Sequence, residues 1–420
     1  IKILSCKNKN YLTKLKDFLD IRRSKKAIDT SIVLKILADI KKNKLKAVIK
    51  YEKKFGNNNK IKPTSKEINK SIKNLDPKIK KSIDFAYNRI FKFHSLQKIK
   101  NIKYVDIYNN KIEYKYVPIV KLGLYCPANL PSTLLMNAIP AKIAGVKKIV
   151  LANPRLNGKL NAAVMYAANK IGIKEIYTIG GAQAIGSLAY IKKVNKIVGP
   201  GNVYVARAKK EVFGEVGIEG MIAGPSEIAV VADKNTSLEE VVTSMIGQAE
   251  HDINSQCILI TKDINLINNF KKNILIKLKN LPRKNIAGTS LKNNGLIVYV
   301  QNDKQVIDTI NEIAPEHLEL NINNFKKYLN KIYNSGSICI GRYSPMALTD
   351  YNVGTNHVLP TFGSAKFSSG LNLNDFYKKI SYITLSKKGV EKIGEYATHL
   401  AEHEELQGHV QSIKSRIRRD

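Results

Sequence analysis

Cysteine is scarce in this chain, and its thiols lie far apart. The four are Cys6, Cys126, Cys257 and Cys339, and no two of them form a C-x-x-C pair. Such spacing argues against a disulfide framework and against a thiolate zinc site. We therefore expect a protein of the reducing cytoplasm.

Long apolar runs are also missing. No stretch reaches the roughly 18 consecutive apolar residues that a membrane span requires. The segment from Ile1 to Asn10 is polar and rich in lysine, and no apolar segment follows it. The sequence therefore predicts neither a membrane-spanning helix nor a secretory signal.

Acidic side chains are outnumbered by basic ones. Against 34 Asp and Glu there are 70 Lys and Arg, which gives a formal net charge of +36. An excess of this size can indicate a nucleic-acid partner. The basic residues are scattered among many Ile and Asn residues, however, without a basic tail or an aromatic platform. We interpret the charge as solvated surface and expect no specific nucleic-acid recognition; weak, non-specific polyanion binding is the alternative.

The apolar periodicity changes along the chain. It is helical from Ile32 to about Phe55, and Lys62-Pro63-Thr64-Ser65 opens a helix that runs into the region 85–93. After Val117, short apolar strands alternate with helices. Strands are predicted at Lys148–Ala152, Glu175–Ile179, Glu227–Ala232, Cys257–Thr261 and Leu296–Val300. This alternation, with glycines at strand ends, predicts parallel sheets with helices on both faces.

Two further local features follow from the pattern. Ser237 and Glu240 predict a capping box for the helix that reaches His251. Beyond Asp375 the chain reads as helical but too poor in apolar residues to fold alone. We expect this tail to pack on another unit, and a partner subunit is a candidate.

A standard dinucleotide fingerprint is absent. There is no G-x-G-x-x-G and no Walker loop. Gly180-Gly181 and Gly199-Pro-Gly201 do lie at predicted strand ends, where such a sheet binds ligands. Taken alone, they are better explained as turn glycines.

Several polar groups have the composition of a zinc site. Gln248 and His251 are one helical turn apart, so an amide oxygen and an imidazole nitrogen could share one ion. Asp350 and His357 share one glycine-containing segment. Oxygen and nitrogen ligands without cysteine are typical of an open, catalytic zinc site. Each pattern also has a structural or solvated explanation.

Glu316 and His317 are adjacent, and such a pair can divide general-base work between water and a substrate hydroxyl. An exposed pair at a helix end is the alternative. Of the other histidines, His94 is predicted to be packed or on the surface, and His399 and His403 to be solvated.

Several long segments, in one order from roughly Ile32 to Ser415, resemble histidinol dehydrogenase. They are PSTLLMNAIPAKIAGV from Pro131, IGGAQAIGSLAY from Ile179, IVGPGN from Ile197, IAGPSE from Ile222, GQAEHD from Gly247, APEHLEL from Ala314, DYNVGTNHVLPT from Asp350 and FSSGL from Phe367. Many ordered matches are far more specific than any one motif.

The resemblance implies a site for each ligand. One zinc per subunit is expected on Gln248, His251, Asp350 and His409, the last contributed by the other subunit of a homodimer. Glu316 is expected to activate water and His317 to accept the alcohol proton. Substrate contacts are expected from the zinc ligands, His317, Ser226, His357 and Glu404, and NAD contacts from Tyr125, Gln183 and Asn202.

The reaction so implied is the last step of histidine biosynthesis. Histidinol is oxidised to histidine through bound histidinaldehyde, with two NAD as acceptors. The implied α/β fold has two Rossmann-like domains in a domain-exchanged dimer. Residues 1–20 are expected as a helical segment, 21–120 with 227–371 as the large domain, 121–226 as the NAD domain, and 372–420 as a helical tail on the partner.

One segment departs from the family pattern. The loop Tyr125-Cys-Pro-Ala-Asn-Leu-Pro131 is shorter than its counterpart and lacks its glycines, which permit close backbone approach to a ligand. An altered relative with impaired NAD use is therefore an alternative, and a basic nucleic-acid-binding protein is a more remote one.

Overall fold

The computed structural model describes residues 1–24, 30–219 and 224–417. The first two residues of the matching segment at Ile222 lie outside these ranges. The strands are β1 Lys2–Ser5, β2 Ile102–Val105, β3 Lys111–Pro118, β4 Lys121–Tyr125, β5 Lys148–Ala152, β6 Glu175–Tyr177, β7 Lys196–Val198, β8 Gly217–Ile218, β9 Glu227–Ala232, β10 Gln256–Thr261, β11 Gly295–Tyr299, β12 His317–Asn321, β13 Ser337–Ile340 and β14 Tyr377–Thr384.

Helices connect and cover these strands. They are α1 Tyr11–Ser24, α2 Ser31–Phe55, α3 Ser65–Lys73, α4 Pro77–Ser95, α5 Pro131–Ala144, α6 Ala162–Ile171, α7 Gly181–Gly186, α8 Val203–Val212, α9 Leu238–Ala249, α10 Ile264–Lys279, α11 Lys284–Asn294, α12 Asp303–Ile313, α13 Lys326–Leu329, α14 Met346–Thr349, α15 Lys387–His403 and α16 Gln407–Ile417. Within the described ranges, no helix is long and apolar enough to cross a membrane.

Two parallel sheets form the centre of the molecule. A six-stranded sheet has the order β1-β11-β10-β9-β12-β13, and a five-stranded sheet has the order β6-β5-β4-β7-β8. Every residue of β9 and β10 is buried, as expected for central parallel strands covered on both faces. The predicted α/β fold with parallel sheets is confirmed.

Helices α2 and α4 belong to the layers around the five-stranded sheet. Val33, Ile36 and Ile40 on one face of α2 share a core with residues of β4, β5 and β7. Ile90 of α4 lies in the core beneath α5. The expected division grouped residues 21–120 with the other sheet and therefore differs from this packing. Helical spacing shows that a face is buried, but not which sheet buries it.

The N-terminal segment was expected to be helical, yet it begins with a strand. β1 pairs in parallel with β11, from Lys2 opposite Leu296 to Ser5 opposite Tyr299, and forms an edge of the six-stranded sheet. Four residues are too few to display an alternation that could be recognised in the sequence.

A small antiparallel sheet was also not predicted. Its order is β14-β3-β2, and β14 occupies the beginning of the tail expected to be helical beyond Asp375. All residues but the first of β14 are exposed, so burial imposes no clear alternation on its sequence. The expected helices follow as α15 and α16.

The predicted capping box at α9 is wrong. Ser237 occupies the N-cap position, but its side chain makes no capping hydrogen bond. The Glu240 carboxylate instead accepts hydrogen bonds from Arg342 Nε at 2.6 Å and from Asn321 Nδ2 at 3.1 Å. A long-range cation outcompetes the local backbone for this side chain.

Candidate active site

Glu316 and His317 lie in the interior, where β12 begins. They follow Ala314, which ends α12 in the left-handed conformation with φ 47°. Their exposed fractions are 6% for Glu316 and 2% for His317. The alternative of an exposed helix-end pair is therefore excluded.

Asp350 lies between two imidazoles. Its Oδ1 is 3.9 Å from His317 Nε2, and its Oδ2 is 3.9 Å from His251 Nε2. His317 Nε2 is also 3.9 Å from Glu316 Oε1. Side chains from β12, from the turn after α9 and from the end of α14 thus converge at one point.

Gln248 is fully buried at the end of α9, and neither Oε1 nor Nε2 of its amide has a hydrogen-bond partner among the described residues. A buried, unsatisfied amide is costly, so its presence indicates a missing partner. His251 lies beyond the last helical residue, and its side chain is 42% exposed. Gln248 and His251 therefore do not share one helix face as predicted: Gln248 lies in the last turn of α9, and His251 lies in the turn that follows it.

His357 lies beside Asp350 because the intervening loop folds back. Its Nδ1 is 2.7 Å from the Asp350 carbonyl oxygen. Arg89 on α4 donates to the carbonyls of Asn352 at 2.6 Å and Val353 at 3.0 Å, which fixes the middle of the loop. The loop thereby connects the cluster to the helices of the five-stranded sheet.

Burial controls the protonation of this cluster. Desolvation lowers the pKa of His317 to about 3 and that of His357 to about 4. It raises the pKa of Asp350 to about 7 and holds the pKa of Glu316 well above its ordinary value. Both imidazoles are consequently neutral at pH 7.

Glu316 is held by the backbone of Glu227, a residue whose side chain belongs to a buried ion pair. The backbone N–H of Glu227 donates to Glu316 Oε2 at 2.8 Å. The Glu227 carboxylate in turn pairs with Arg22 of α1, and its Oε1 accepts from Phe362 N at 3.0 Å. Half-buried Ser226 precedes this strand, and its carbonyl accepts from Gln256 N at 3.0 Å.

Within the part of the chain that the structure describes, no three or more His, Cys, Asp or Glu side chains form a metal-holding group. The expected fourth ligand, His409, and the expected substrate contact, Glu404, are exposed on the C-terminal hairpin α15–α16. Across the described ranges, no hydrogen bond or ion pair joins either of these side chains to Asp350 or His251. A single chain thus assembles only one part of the predicted site.

The C-terminal hairpin is tightly formed but presents apolar side chains outward. A Cβ at Gly394 would lie 3.0 Å from Ile413 Cγ2, so the two helices are in close contact. Ile393, Tyr396 and Leu400 are 40%, 70% and 64% exposed, and their spacing places them on one face of α15. Apolar side chains that are exposed together on one face are often found at protein–protein interfaces.

The three expected NAD contacts lie at one end of the five-stranded sheet. Tyr125 ends β4, Gln183 follows β6 in α7, and Asn202 follows β7. Gly199, with φ +110°, is indispensable here, because a Cβ would lie 1.9 Å from the Tyr125 carbonyl oxygen. Carboxyl ends of parallel strands are where sheets of this class bind ligands.

The three side chains differ in accessibility. Tyr125 and Gln183 are 5% and 3% exposed, whereas Asn202 is exposed and caps α8 by accepting from Tyr204 N and Val205 N, both at 3.1 Å. The loop after Tyr125 is held by Asn153, whose Nδ2 donates to the carbonyls of Cys126 at 3.0 Å and Pro127 at 2.8 Å.

Sequence reasoning missed the residues that support these groups. Arg22, Glu227 and Arg89 all act on residues far away in the chain, so no local spacing marks them. The only available signal was the place of Glu227 at the end of the matching segment from Ile222. His94 is fully buried, with Nδ1 3.0 Å from the Ile90 carbonyl oxygen, as one of its two explanations predicted.

Comparison with known proteins agrees with the motifs. Residues 21–417 match the family model for histidinol dehydrogenase. The chain is 56% identical over 426 residues to histidinol dehydrogenase of Pelagibacter ubique, covering 100% of both chains. It is 39% identical to histidinol dehydrogenase 1 of a Nostoc species, covering 99% of this chain and 98% of that one.

The solved structures include a close neighbour. The crystal structure of histidinol dehydrogenase from Elizabethkingia anophelis superposes with a TM-score of 0.88 at 39% identity, covering 93% of each chain. Fold, sequence and motif order therefore lead to the same result, and the expectation drawn from the motifs is confirmed. The chain belongs to the histidinol dehydrogenase family, whose members are NAD-dependent oxidoreductases of histidine biosynthesis.

Proposed function

We propose that the cluster around Asp350 binds histidinol and that His317 and Glu316 act in its two successive oxidations to histidine. The observation that carries this proposal is the convergence of Asp350, His251 and His317 beside the unpaired amide of Gln248. Each oxidation passes one hydride to NAD, which binds at Tyr125, Gln183 and Asn202.

The donor set fits a zinc ion that one chain cannot enclose. Gln248, His251 and Asp350 would hold it together with His409 of the partner subunit. A buried amide without partners and a carboxylate beside a neutral imidazole are groups that such an ion would satisfy. Zinc bound there would supply a template for the imidazole and amino groups of histidinol.

His317 serves as the base of the first oxidation. Its imidazole is neutral because burial lowers its pKa to about 3. As the hydride leaves the carbinol carbon for NAD, the hydroxyl proton passes to His317, and the product is histidinaldehyde. His357 and Ser226 contact the same substrate from the loop and strand that border the site.

Glu316 serves in the second oxidation. Burial holds its pKa well above the ordinary value, which brings this carboxylate closer to the basicity that water activation needs. Glu316 takes a proton from water as the water oxygen bonds to the aldehyde carbon, giving the anion of the hydrate. A second hydride then leaves that carbon for another NAD, and loss of a proton gives the carboxylate of histidine.

A homodimer completes the site. The hairpin α15–α16 carries Glu404 and His409 on its exposed surface, and the apolar face of α15 lacks a covering element among the described residues. Packing of this hairpin on a second subunit would bury Tyr396 and Leu400. It would also bring Glu404 and His409 to the partner's Asp350 cluster. The reducing cytoplasm suits such an enzyme, because all four of its cysteines are unpaired and buried.

The test is the yield of NADH per histidinol, with and without a chelator. Two equivalents, lost after chelation and restored by zinc, support the proposal. One equivalent with accumulated aldehyde would contradict the assignment of both oxidations to this site. Full activity after metal removal, verified by metal analysis, would contradict the zinc assignment.

A further inference from the structure

Glu52 is a buried carboxylate that the mechanism above does not use. It lies near the end of α2, and 1% of it is exposed. Its Oε2 accepts hydrogen bonds from Gln183 Nε2 at 2.9 Å and from Gly180 N at 3.2 Å. No Lys or Arg in the described part of the chain forms an ion pair with it.

A carboxylate without a cationic partner is expensive to bury. A hydrophobic side chain at this position of α2 would pack beneath α7 at lower cost. The presence of a carboxylate here is therefore better explained by its hydrogen bonds, which hold the turn Gly180-Gly181 and the side chain of Gln183.

Gly56 provides the space for this carboxylate. A Cβ at position 56 would lie 2.1 Å from Glu52 Oε1. The backbone of Gly56 has φ −96°, which any residue adopts, so the glycine is not required by its conformation. Its function here is to leave room one helical turn beyond Glu52.

The hydrogen bond also determines how Gln183 presents its amide. An ionised carboxylate only accepts, so it selects the orientation in which Gln183 Nε2 faces Glu52. Gln183 Oε1 then lies on the other side, 3.0 Å from the Cβ position of Gly181. Oxygen rather than nitrogen is thereby offered at the carboxyl end of the sheet.

We propose that Glu52 is a positioning residue for NAD binding, which fixes Gln183 and the Gly180-Gly181 turn so that the amide oxygen of Gln183 accepts a hydrogen bond from NAD. The hydroxyl and amino groups of the dinucleotide are suitable donors. This inference rests on the proposed contact between Gln183 and NAD.

The test separates cofactor binding from substrate binding. Glu52→Ala removes the acceptor, Glu52→Gln keeps an acceptor oxygen, and Gly56→Ala displaces the carboxylate without altering it. NADH binding is measured directly from the fluorescence of NADH, without histidinol, and KM is measured for NAD and for histidinol. Gly288→Ala in α11 is the matched control, because a Cβ there meets nothing within 4 Å.

Glu52→Ala and Gly56→Ala should each weaken NADH binding and raise KM for NAD by about tenfold, the size expected for one hydrogen bond to a charged group. KM for histidinol should stay within about twofold of the parent, and Glu52→Gln should recover most of the loss. Equal changes in both KM values would indicate a merely structural role and overturn the inference. If Glu52→Ala fails to fold, Gly56→Ala decides.

Gln183→Leu distinguishes the positioning role of Glu52 from the proposed contact between Gln183 and NAD. If Gln183→Leu leaves NADH binding unchanged, the NAD contact itself is wrong, and the role of Glu52 falls with it. If Gln183→Leu weakens binding while Gly56→Ala and Glu52→Ala do not, the contact stands and only the positioning role is overturned.

Discussion

The Arg22–Glu227 pair offers a quantitative test of how the site is supported. Arg22 is 8% exposed and Glu227 is 3% exposed. Arg22 donates to the Glu227 carboxylate, to the Pro225 carbonyl at 2.7 Å and to the Asn254 carbonyl at 3.0 Å. Its guanidinium also lies 4.8 Å from the centre of the Phe362 ring.

Arg22→Met removes the cation and leaves Glu227 buried without a partner. Breaking one side of a buried ion pair costs about 3–5 kcal/mol of unfolding free energy. Glu227→Gln in the same chain removes the stranded charge, while its amide oxygen still accepts from Phe362 N. The double variant should therefore recover to within about 2 kcal/mol of the parent protein.

The stability assay is urea unfolding followed by circular dichroism, at one protein concentration for all members of the double-mutant cycle. Arg22→Met should also slow histidinaldehyde oxidation more than histidinol oxidation, because the Glu227 N–H that holds Glu316 is displaced. Rapid-mixing measurement of the two steps would show this. A single variant within about 1 kcal/mol of the parent, or a double variant as unstable as the single one, would refute the argument.

Two further predictions concern the site, and a third concerns the buried His94. Glu316→Gln should slow the aldehyde-to-acid step more than His317→Ala does, because hydration belongs to that step; equal effects on histidinaldehyde oxidation would contradict this division. His409→Ala and His251→Ala chains, each inactive alone, should partly complement when mixed, since a heterodimer retains one intact site; proven subunit exchange without regained activity would exclude a shared site. Burial lowers the pKa of His94, so the unfolded state binds the extra proton and stability should fall as pH drops through about 6.5. In His94→Gln, the urea midpoint should fall less steeply with decreasing pH than it does in the parent protein. An equally steep fall in both proteins would exclude His94 as a contributor.

The central strands and the chemical groups of the site were readable from the chain alone. β9 and β10 are buried on both faces, so they appear as continuous apolar runs that need no tertiary information. The ordered motifs likewise predicted Gln248, His251 and Asp350 as zinc ligands, because their types are suited to zinc wherever the fold places them.

The packing partners of the helices were not readable in this way. The apolar face of α2 was recognised, yet its contact with the five-stranded sheet depends on shape and chain path. β1 and β14 escaped prediction because one is only four residues long and the other is mostly exposed. Neither condition leaves a periodic signature.

The hydrogen bonds and ion pairs that hold the site residues form only when segments distant in the sequence come together. Arg22 and Glu227 are 205 positions apart, and Glu52 and Gln183 are 131 positions apart. Such pairs cannot be predicted from local sequence spacing, because nothing distinguishes either member from the many other polar residues around it. The residue types thus determine which chemistry this chain can perform. The folding of α1 and α2 onto the two sheets determines which carboxylates are buried, and so which groups hold Glu316 and Gln183 in place.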